Sequence, residues 1–458
     1  MTFAYAVRFI DRAPLSCREF PPSLLRMKLL LRLLGDPQQK TNYITVGGDR
    51  EADTLKLISE IVVHGGYGAL AVDASRIRSD PSECITVNCR PVSPLAFAQA
   101  VGEVYYAAQK IKKSYDSILG GADGGDGIDA VTQLFSARGI SPEPTAEEII
   151  VATAEVLSKE NGCRISVLPV MFGGRNSPLS ALPLPMACFV CPLSEQNCSD
   201  ILLSLIVRGV KEVVTEPQLP EVLSKISRNC ADSGARLTVT LRSEINILKK
   251  TLRLTEFTYR DEGILTLMTP VTELVNKACA AVELAGILSR NGFPIGFGSV
   301  KKSIYAYRAD KRTDICTISA EPAIFAASTE ASESAILEVL AALEELRTHL
   351  GGTFYVFDMG LGFEDARSVM KHMTENYGRY YDRMTVVCPE NSGFCGYSDN
   401  EHLKLEYADI SLTDIVSSLS SHDAAICFFS SDRLEKQTDK LLVAIERRNI
   451  GRSKTHPT

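Results

Sequence analysis

Short runs of β-branched and apolar residues alternate along this chain with longer amphipathic stretches. This alternation limits the fold to α/β architectures, in which helices cover sheets of mostly parallel strands. The predicted strands are Tyr43–Val46, Ala69–Val72, Ile165–Leu168, Ala187–Cys191, Glu212–Thr215, Phe354–Asp358, Met384–Cys388 and Ala424–Phe429. The predicted helices are Pro94–Ser114, Ala146–Glu160, Leu219–Ser233, Val271–Asn291 and Ser332–Leu350. Closely spaced strand-like runs in Arg236–Met268 predict antiparallel hairpins instead.

Length and charge exclude several classes of protein. A chain of 458 residues is long enough for two or three domains. Its net charge of −7, without a basic tract, argues against a nucleic-acid partner. The apolar stretches are shorter than the roughly 20 residues that span a bilayer, so we expect no membrane partner. The 13 scattered cysteines and the absence of a secretion-signal pattern predict a cytoplasmic protein with reduced thiols.

Two glycine-rich segments interrupt the alternation. Gly120–Gly127 predicts a flexible loop, and its aspartates lack the spacing of an EF-hand, so metal binding is not favoured there. Asn291–Ser303 follows a long predicted helix and precedes a new strand–helix series, which places a domain boundary near residue 298. Within it, Gly296–Ser303 is similar to a phosphate loop but has no glycine directly before Lys301, so a basic linker is favoured.

A set of short motifs then occurs in a fixed order. The segments are Leu29–Lys40 (LLLRLLGDPQQK), Glu83–Ser93 (ECITVNCRPVS), Pro144–Glu148 (PTAEE), Gly173–Arg175 (GGR), Asn276 at the start of an alanine-rich helix, and Gly292–Ile295 (GFPI). In this order they resemble the folylpolyglutamate synthase and dihydrofolate synthase family of the Mur ligase superfamily. The corresponding family motifs include Leu-Gly-x-Pro-Gln, Pro-Thr-x-Phe-Glu and His-Gln-x-x-Asn-Ala.

The resemblance implies a Mur-ligase-like α/β fold. Residues 1–298 would form a P-loop-type mononucleotide-binding domain, residues 299–435 a smaller C-terminal Rossmann-like domain, and residues 436–458 a tail. It also implies ATP-dependent joining of glutamate to a folate or pteroate carboxylate. The residues at the family's Mg-ATP positions are Gly47, Gly48, Thr54, Asn276 and Arg308, and those at its Mg²⁺-ligand positions are Thr54 and Glu148.

The segment that aligns with the family's phosphate loop differs from its motif. The family's Gly-Thr-Asn-Gly-Lys-Gly-Ser aligns with Gly48–Thr54, which reads GDREADT. Ala52 stands at the lysine position, and Glu51 and Asp53 stand at glycine positions where the backbone must approach phosphate. One like-charge contact at about 4 Å costs roughly 4 kcal/mol at an effective dielectric constant of about 20.

Other positions that carry charge or protons in the family differ as well. Pro169, Ser177 and Thr272 stand where the family has an acid, an aspartate and a histidine, and Asp200–Val207 contains no lysine for the acyl phosphate. We therefore assign no catalytic residue. Cys188 and Cys191 form a Cys-x-x-Cys pair, but their apolar surroundings favour buried thiols over a zinc or redox site.

Three functions remain open. The first is a catalytically degenerate member of this ligase family with a binding or regulatory role, whose partner is a small molecule in the interdomain cleft or another protein. The second is a divergent but active ligase that uses Mg-ATP, folate and glutamate. The third is a protein-interaction module without a small ligand.

Overall fold

The computed structural model describes most of the first 307 residues and mainly strands beyond them. The described residues are 1–16, 21–48, 51–77, 80–120, 127–170, 177–193, 206, 209–250, 254–260, 262–269, 272–307, 315–320, 323–328, 354–359, 384–388, 403–407, 419–420, 423–429, 440–441 and 443–445. By internal contacts the chain divides into two compact units. The first unit comprises Met1–Glu244 and Asn276–Ile304, and the second comprises Ile245–Val275 and Tyr305–Thr458.

The helices begin where the sequence provides capping groups. Ser93 and Thr145 cap helices with their side chains, and Pro94 and Pro220 occupy first-turn positions that need no backbone N–H. The helices are α1 (Phe3–Arg12), α2 (Leu24–Leu33), α3 (Glu51–His64), α4 (Pro94–Leu119), α5 (Gly127–Arg138), α6 (Ala146–Glu160), α7 (Pro220–Ser233), α8 (Thr272–Arg290) and α9 (Phe297–Ala306). Among the described helices, none has the length and hydropathy to cross a membrane.

An eight-stranded sheet forms the centre of the first unit. Its strands are β1 (Asn42–Gly47), β2 (Ala69–Val72), β3 (Ile85–Val87), β4 (Arg90–Pro91), β5 (Ile165–Pro169), β6 (Ala187–Val190), β7 (Glu212–Thr215) and β8 (Arg236–Val239), in the order β4-β3-β2-β5-β1-β6-β7-β8. Strands β2, β5, β1, β6, β7 and β8 are parallel, and β3 and β4 form an antiparallel edge. The inner strands are buried along their length, as expected of a sheet covered on both faces.

The second unit contains two further sheets. Strands β9 (Ile245–Lys250), β10 (Thr255–Tyr259) and β11 (Ile264–Leu267) form an antiparallel sheet in the order β11-β10-β9. The other sheet comprises β12 (Ile315–Ala320), β13 (Ala323–Ser328), β14 (Phe354–Met359), β15 (Met384–Cys388), β16 (Leu403–Tyr407) and β17 (Ala424–Phe429). Its order is β12-β13-β17-β14-β15-β16, and only the pairing of β12 with β13 is antiparallel among its described strands.

The predicted α/β class is confirmed, and all eight predicted strands are present. The antiparallel hairpins predicted within Arg236–Met268 are confirmed for β9, β10 and β11. Two local predictions are wrong. Arg236–Val239 joins the large sheet in parallel with β7 rather than forming a hairpin, and Gly296–Ser303 is no linker because α9 begins at Phe297. The predicted domains 1–298, 299–435 and 436–458 stay predictions, although residues 245–275 group with the C-terminal unit by contacts. Ser332–Leu350, Gly173–Arg175 and most of Asp200–Val207 lie outside the described residues.

Candidate nucleotide site

The turn after β1 lies at the carboxyl edge of the large sheet, where the neighbours of β1 are β5 on one side and β6 on the other. In open α/β sheets this switch in strand order is where ligands bind. Gly48 has a φ of 118°, and an added Cβ would lie 2.8 Å from the backbone oxygens of Cys191 and Pro192. The turn therefore lies against the segment that follows β6, and only glycine fits there.

The helix that follows this turn presents Thr54 to a buried lysine. The Thr54 Oγ1 atom accepts a hydrogen bond from Lys277 Nζ at 3.2 Å and lies 3.2 Å from Cys191 Sγ. Lys277 comes from α8 and also donates to Glu216 Oε1, just after β7, at 2.9 Å. Thus α3, α8 and the ends of β6 and β7 converge on one hydroxyl and one ammonium group.

Lys277 keeps its charge in this position. Lys277 is 2% exposed, and Thr54 and Glu216 are each 1% exposed. Burial alone would lower the pKa of Lys277, but the adjacent Cys191, Glu216 and Asp53 outweigh it and raise that pKa above its ordinary value. The site therefore contains a permanently charged protein cation beside the threonine hydroxyl.

The carboxylates of α3 are not equivalent. Burial raises the pKa of Glu51 to about 8, and Asp73 adds to the rise while Lys277 opposes it. Glu51 is therefore mostly protonated at neutral pH, so the repulsion expected from two carboxylates falls mainly on Asp53. Asp53 is 2% exposed and lies within the electrostatic range of Lys277.

Glu148, which the sequence placed at a Mg²⁺ position, is part of a different network. Its carboxylate forms a 2.7 Å ion pair with Arg26 and accepts hydrogen bonds from the backbone N–H groups of Ser23 and Thr145. The Thr145 hydroxyl in turn accepts from the Glu148 N–H, which completes a capping box at the start of α6. The hydrogen-bond partners of Glu148 and of Thr54 thus form separate sets.

The remaining predicted positions are only partly brought together. Gly47 ends β1 and accepts a hydrogen bond from the Cys191 N–H at 2.8 Å. Asn276 is buried on α8 next to Lys277, whereas Arg308 and the loop residues 49–50 lie outside the described residues. Cys188 and Cys191 are buried as predicted, and burial raises the pKa of each thiol to about 12.

Sequence reasoning missed Lys277 and Glu216. The only signal for Lys277 is its place directly after Asn276, where the family motif His-Gln-x-x-Asn-Ala has alanine. Glu216 has no motif around it, but it directly follows a strand of the parallel sheet, which is where site residues of such folds lie. Within the described part of the chain, no group of three or more His, Cys, Asp or Glu side chains could hold a metal ion.

The sheet order and the turn after β1 define the class of fold: an α/β unit built on a mainly parallel sheet, with a second unit that contains another mainly parallel sheet. No family model matches the sequence, and no curated protein matches it. Solved structures do match over nearly the whole chain.

The apo folylpolyglutamate synthase of L. casei is 16% identical with a TM-score of 0.67, covering 98% of this chain and 100% of that chain. The folylpolyglutamate synthase of Thermotoga maritima is 16% identical with a TM-score of 0.64, covering 96% of each chain. That of Mycobacterium tuberculosis, complexed with ADP and AMPPCP, is 15% identical with a TM-score of 0.60, covering 92% of this chain and 95% of that chain. The chain therefore has the folylpolyglutamate synthase fold, as the motifs predicted.

Proposed function

We propose that this chain is a member of the folylpolyglutamate synthase family that no longer joins glutamate to folate and acts instead by binding. The observation that carries the proposal is the Lys277 ammonium, 3.2 Å from the Thr54 hydroxyl and 2.9 Å from Glu216. In P-loop proteins the hydroxyl at this position holds Mg²⁺. In this chain the Lys277 ammonium group donates a hydrogen bond to that hydroxyl, where Mg²⁺ would otherwise bind.

The cost of adding Mg²⁺ to this arrangement is large. A divalent cation about 4 Å from an ammonium group is repelled by about 8 kcal/mol at an effective dielectric constant of about 20, and the nearby carboxylates of Glu216 and Asp53 offset part of that repulsion. Ala52 stands at the position of the phosphate-loop lysine, so no side chain there contacts the phosphates of a bound nucleotide as that lysine does. Glu148 is committed to Arg26 and to the cap of α6. These features together support loss of Mg-ATP chemistry on a retained scaffold.

One observation favours the second candidate, a rebuilt and active ligase. Lys277 lies near the start of α3, and in a rebuilt ligase it would take the place of the missing phosphate-loop lysine from another helix. That role requires its ammonium to leave Glu216 and reach a phosphate oxygen. Its 2% exposure and its hydrogen bonds to Thr54 and Glu216 favour the structural role over the catalytic one.

The first test is calorimetric titration of the full chain with Mg-AMPPCP to millimolar concentration, beside a Lys277→Ala variant. We expect no heat and no thermal shift for the wild type. Binding by the wild type at tens of micromolar, lost in Lys277→Ala, would favour the rebuilt ligase and refute the proposal.

A turnover assay separates binding from ligation. The chain is incubated with Mg-ATP, tetrahydrofolate and glutamate, and ADP is measured with each substrate omitted in turn. We expect no ADP release that depends on both folate and glutamate. A thermal-shift screen of pterins, nucleotides and amino acids then distinguishes a ligand-binding protein, which one of them stabilises, from an interaction module, which none of them affects.

A further inference from the structure

A cleft opens on the surface of the first unit where α1, α4 and the segment before α6 meet. Its volume is about 170 Å³, and all the residues that line it belong to the described part of the first unit. An apolar cavity of about 150 Å³ holds one benzene molecule. The cleft is therefore large enough for a single six-membered ring, and it shares no residue with the candidate nucleotide site.

The walls of the cleft are apolar and rigid. Phe9 of α1 forms one wall, and its ring makes an edge-to-face contact with Tyr105 of α4, with 5.2 Å between the ring centroids. Pro14, Pro142 and Pro144 form further walls, and proline has a fixed φ and no backbone N–H group. Walls of this kind favour a flat apolar body over a polar one.

Hydrogen bonds behind these walls hold the cleft in shape. The Pro14 carbonyl oxygen accepts a hydrogen bond from the Ala146 N–H at 2.9 Å, which fixes the segment after α1 to the start of α6. Ser16 donates to Glu147 Oε2 from its backbone N–H at 3.0 Å and from its hydroxyl at 2.8 Å. The cleft is thus largely formed before any ligand arrives, as is usual for sites that bind small molecules.

The rim of the cleft carries two positive charges and one negative charge. Arg12 in the last turn of α1 and Lys112 of α4 are exposed cations, and Glu143 supplies the carboxylate. Lys112 Nζ lies 2.8 Å from Glu143 Oε1, with 45% and 56% of the two side chains exposed. Because an ion pair this exposed contributes little to stability, Lys112 can exchange Glu143 for a ligand at small cost. Arg12 offers a planar set of donors that matches a carboxylate.

We propose that this cleft binds an aromatic monocarboxylate. Its ring lies against Phe9 and the prolines, in the edge-to-face or offset contacts that aromatic rings prefer. Its carboxylate lies at the rim against Arg12 and Lys112, where the hydrogen bonds are charge-assisted. Glu143 stays at the rim and repels a second carboxylate, which excludes dicarboxylates. This proposal does not rest on the chemistry of the nucleotide site.

Saturation-transfer NMR of the full chain with benzoate tests the proposal. We expect saturable binding with a Kd of about 1 mM, which is typical of so small a ligand. Benzyl alcohol lacks the charge, acetate lacks the ring, and phthalate has a second carboxylate, so each should bind at least about fivefold more weakly than benzoate. No saturable benzoate signal, or benzyl alcohol or benzylamine binding as tightly as benzoate, overturns the proposal.

Two variants test whether benzoate binds in this cleft. Arg12→Gln removes the charge and should weaken benzoate binding about tenfold, because a charge-assisted hydrogen bond contributes roughly that factor. Gln109→Trp, at an exposed position on the rim, should block the cleft and abolish binding. The matched control is Lys113→Gln, an exposed α4 lysine that does not line the cleft, and it should bind like the wild type. Undiminished binding in either variant, or an equal loss in the control, overturns the proposal.

Discussion

Lys277 brings an ammonium group into the interior of the first unit and pairs it with Glu216. Replacing it by methionine keeps much of the volume but leaves a carboxylate in a site built for an ion pair. Breaking a buried pair by removing one partner typically costs about 3–5 kcal/mol. We therefore expect Lys277→Met to lower the free energy of unfolding of the first unit by about that amount, measured by urea denaturation.

The matched control is Lys225→Met, an exposed lysine on α7. Its effect should stay within about 0.5 kcal/mol. The double variant Lys277→Met with Glu216→Leu should recover part of the loss, because it removes the remaining carboxylate. Equal effects of Lys277→Met and Lys225→Met would show that the ion pair contributes nothing.

A second buried acid makes stability depend on pH. The Tyr43 hydroxyl lies 3.1 Å from the Gln38 carbonyl oxygen and 2.6 Å from Glu155 Oε2. A hydroxyl has one hydrogen, and a carbonyl can only accept, so both bonds form fully when Glu155 is protonated and donates to Tyr43. Consistently, burial raises the pKa of Glu155 to about 7, although the bond from Tyr43 opposes the rise.

The sign of the effect follows from the raised pKa of Glu155. The folded state holds a proton that the unfolded state loses near pH 4.5, so this contribution is complete below pH 4.5 and is lost as the pH rises to about 7. Its size is roughly 3 kcal/mol at most. We expect the stability difference between wild type and Glu155→Gln to shift by that amount in favour of the variant from pH 4.5 to pH 8. Denaturation of both proteins across this range measures it, and a difference that does not vary with pH would contradict it.

At the scale of elements, restoring the family's phosphate-loop motif in the turn between β1 and α3 is not expected to restore nucleotide binding. Changing Glu51, Ala52 and Asp53 to Gly, Lys and Gly restores the motif but leaves the Lys277 ammonium beside Thr54. We expect this triple variant to remain unable to bind Mg-AMPPCP. Adding Lys277→Ala should give the first measurable affinity, detected by calorimetry against Lys277→Ala alone as the control. Binding by the triple variant would show that Lys277 does not block the site.

Elements defined by their own residues were predictable, and those defined by distant ones were not. Glu212–Thr215 and Ala146–Glu160 have the bounds that the sequence predicted, because a β-branched run and a capped amphipathic helix are local signals. Arg236–Val239 carries the same local signal whether it pairs in parallel or in a hairpin, so its pairing with β7 was not predictable.

The candidate site was also predictable only where the signal is local. The motif places Thr54 at the start of α3, but the partner that determines its chemistry lies 223 positions away on α8. Glu148 was predicted as a Mg²⁺ ligand because its motif matches, yet the motif does not reveal Arg26, 122 positions away, which binds its carboxylate. Motifs therefore located the residues, whereas the charges facing them depended on the folded structure.

At the scale of the whole molecule, likeness to folylpolyglutamate synthases extends over 98% of the chain at 16% identity. Packing explains how a fold persists at such a distance, because apolar residues of similar volume replace one another at small cost. A phosphate site tolerates no such exchange, since each charge and each glycine has its own geometry. A scaffold can therefore persist at a sequence identity at which a phosphate site would not.

Two compact units, each with its own buried residues, predict two cooperative transitions rather than one. Leu70 on β2 is fully buried in the first unit, and Leu267 on β11 is 1% exposed in the second. Leu→Ala at such positions costs about 2–5 kcal/mol, which lowers a melting temperature by several degrees. In scanning calorimetry we expect Leu70→Ala to lower one transition and Leu267→Ala to lower the other. A single transition that both variants lower equally would mean that the chain unfolds as one cooperative body. The changes in stability predicted for the Lys277 and Glu155 variants would then be measured on that shared transition.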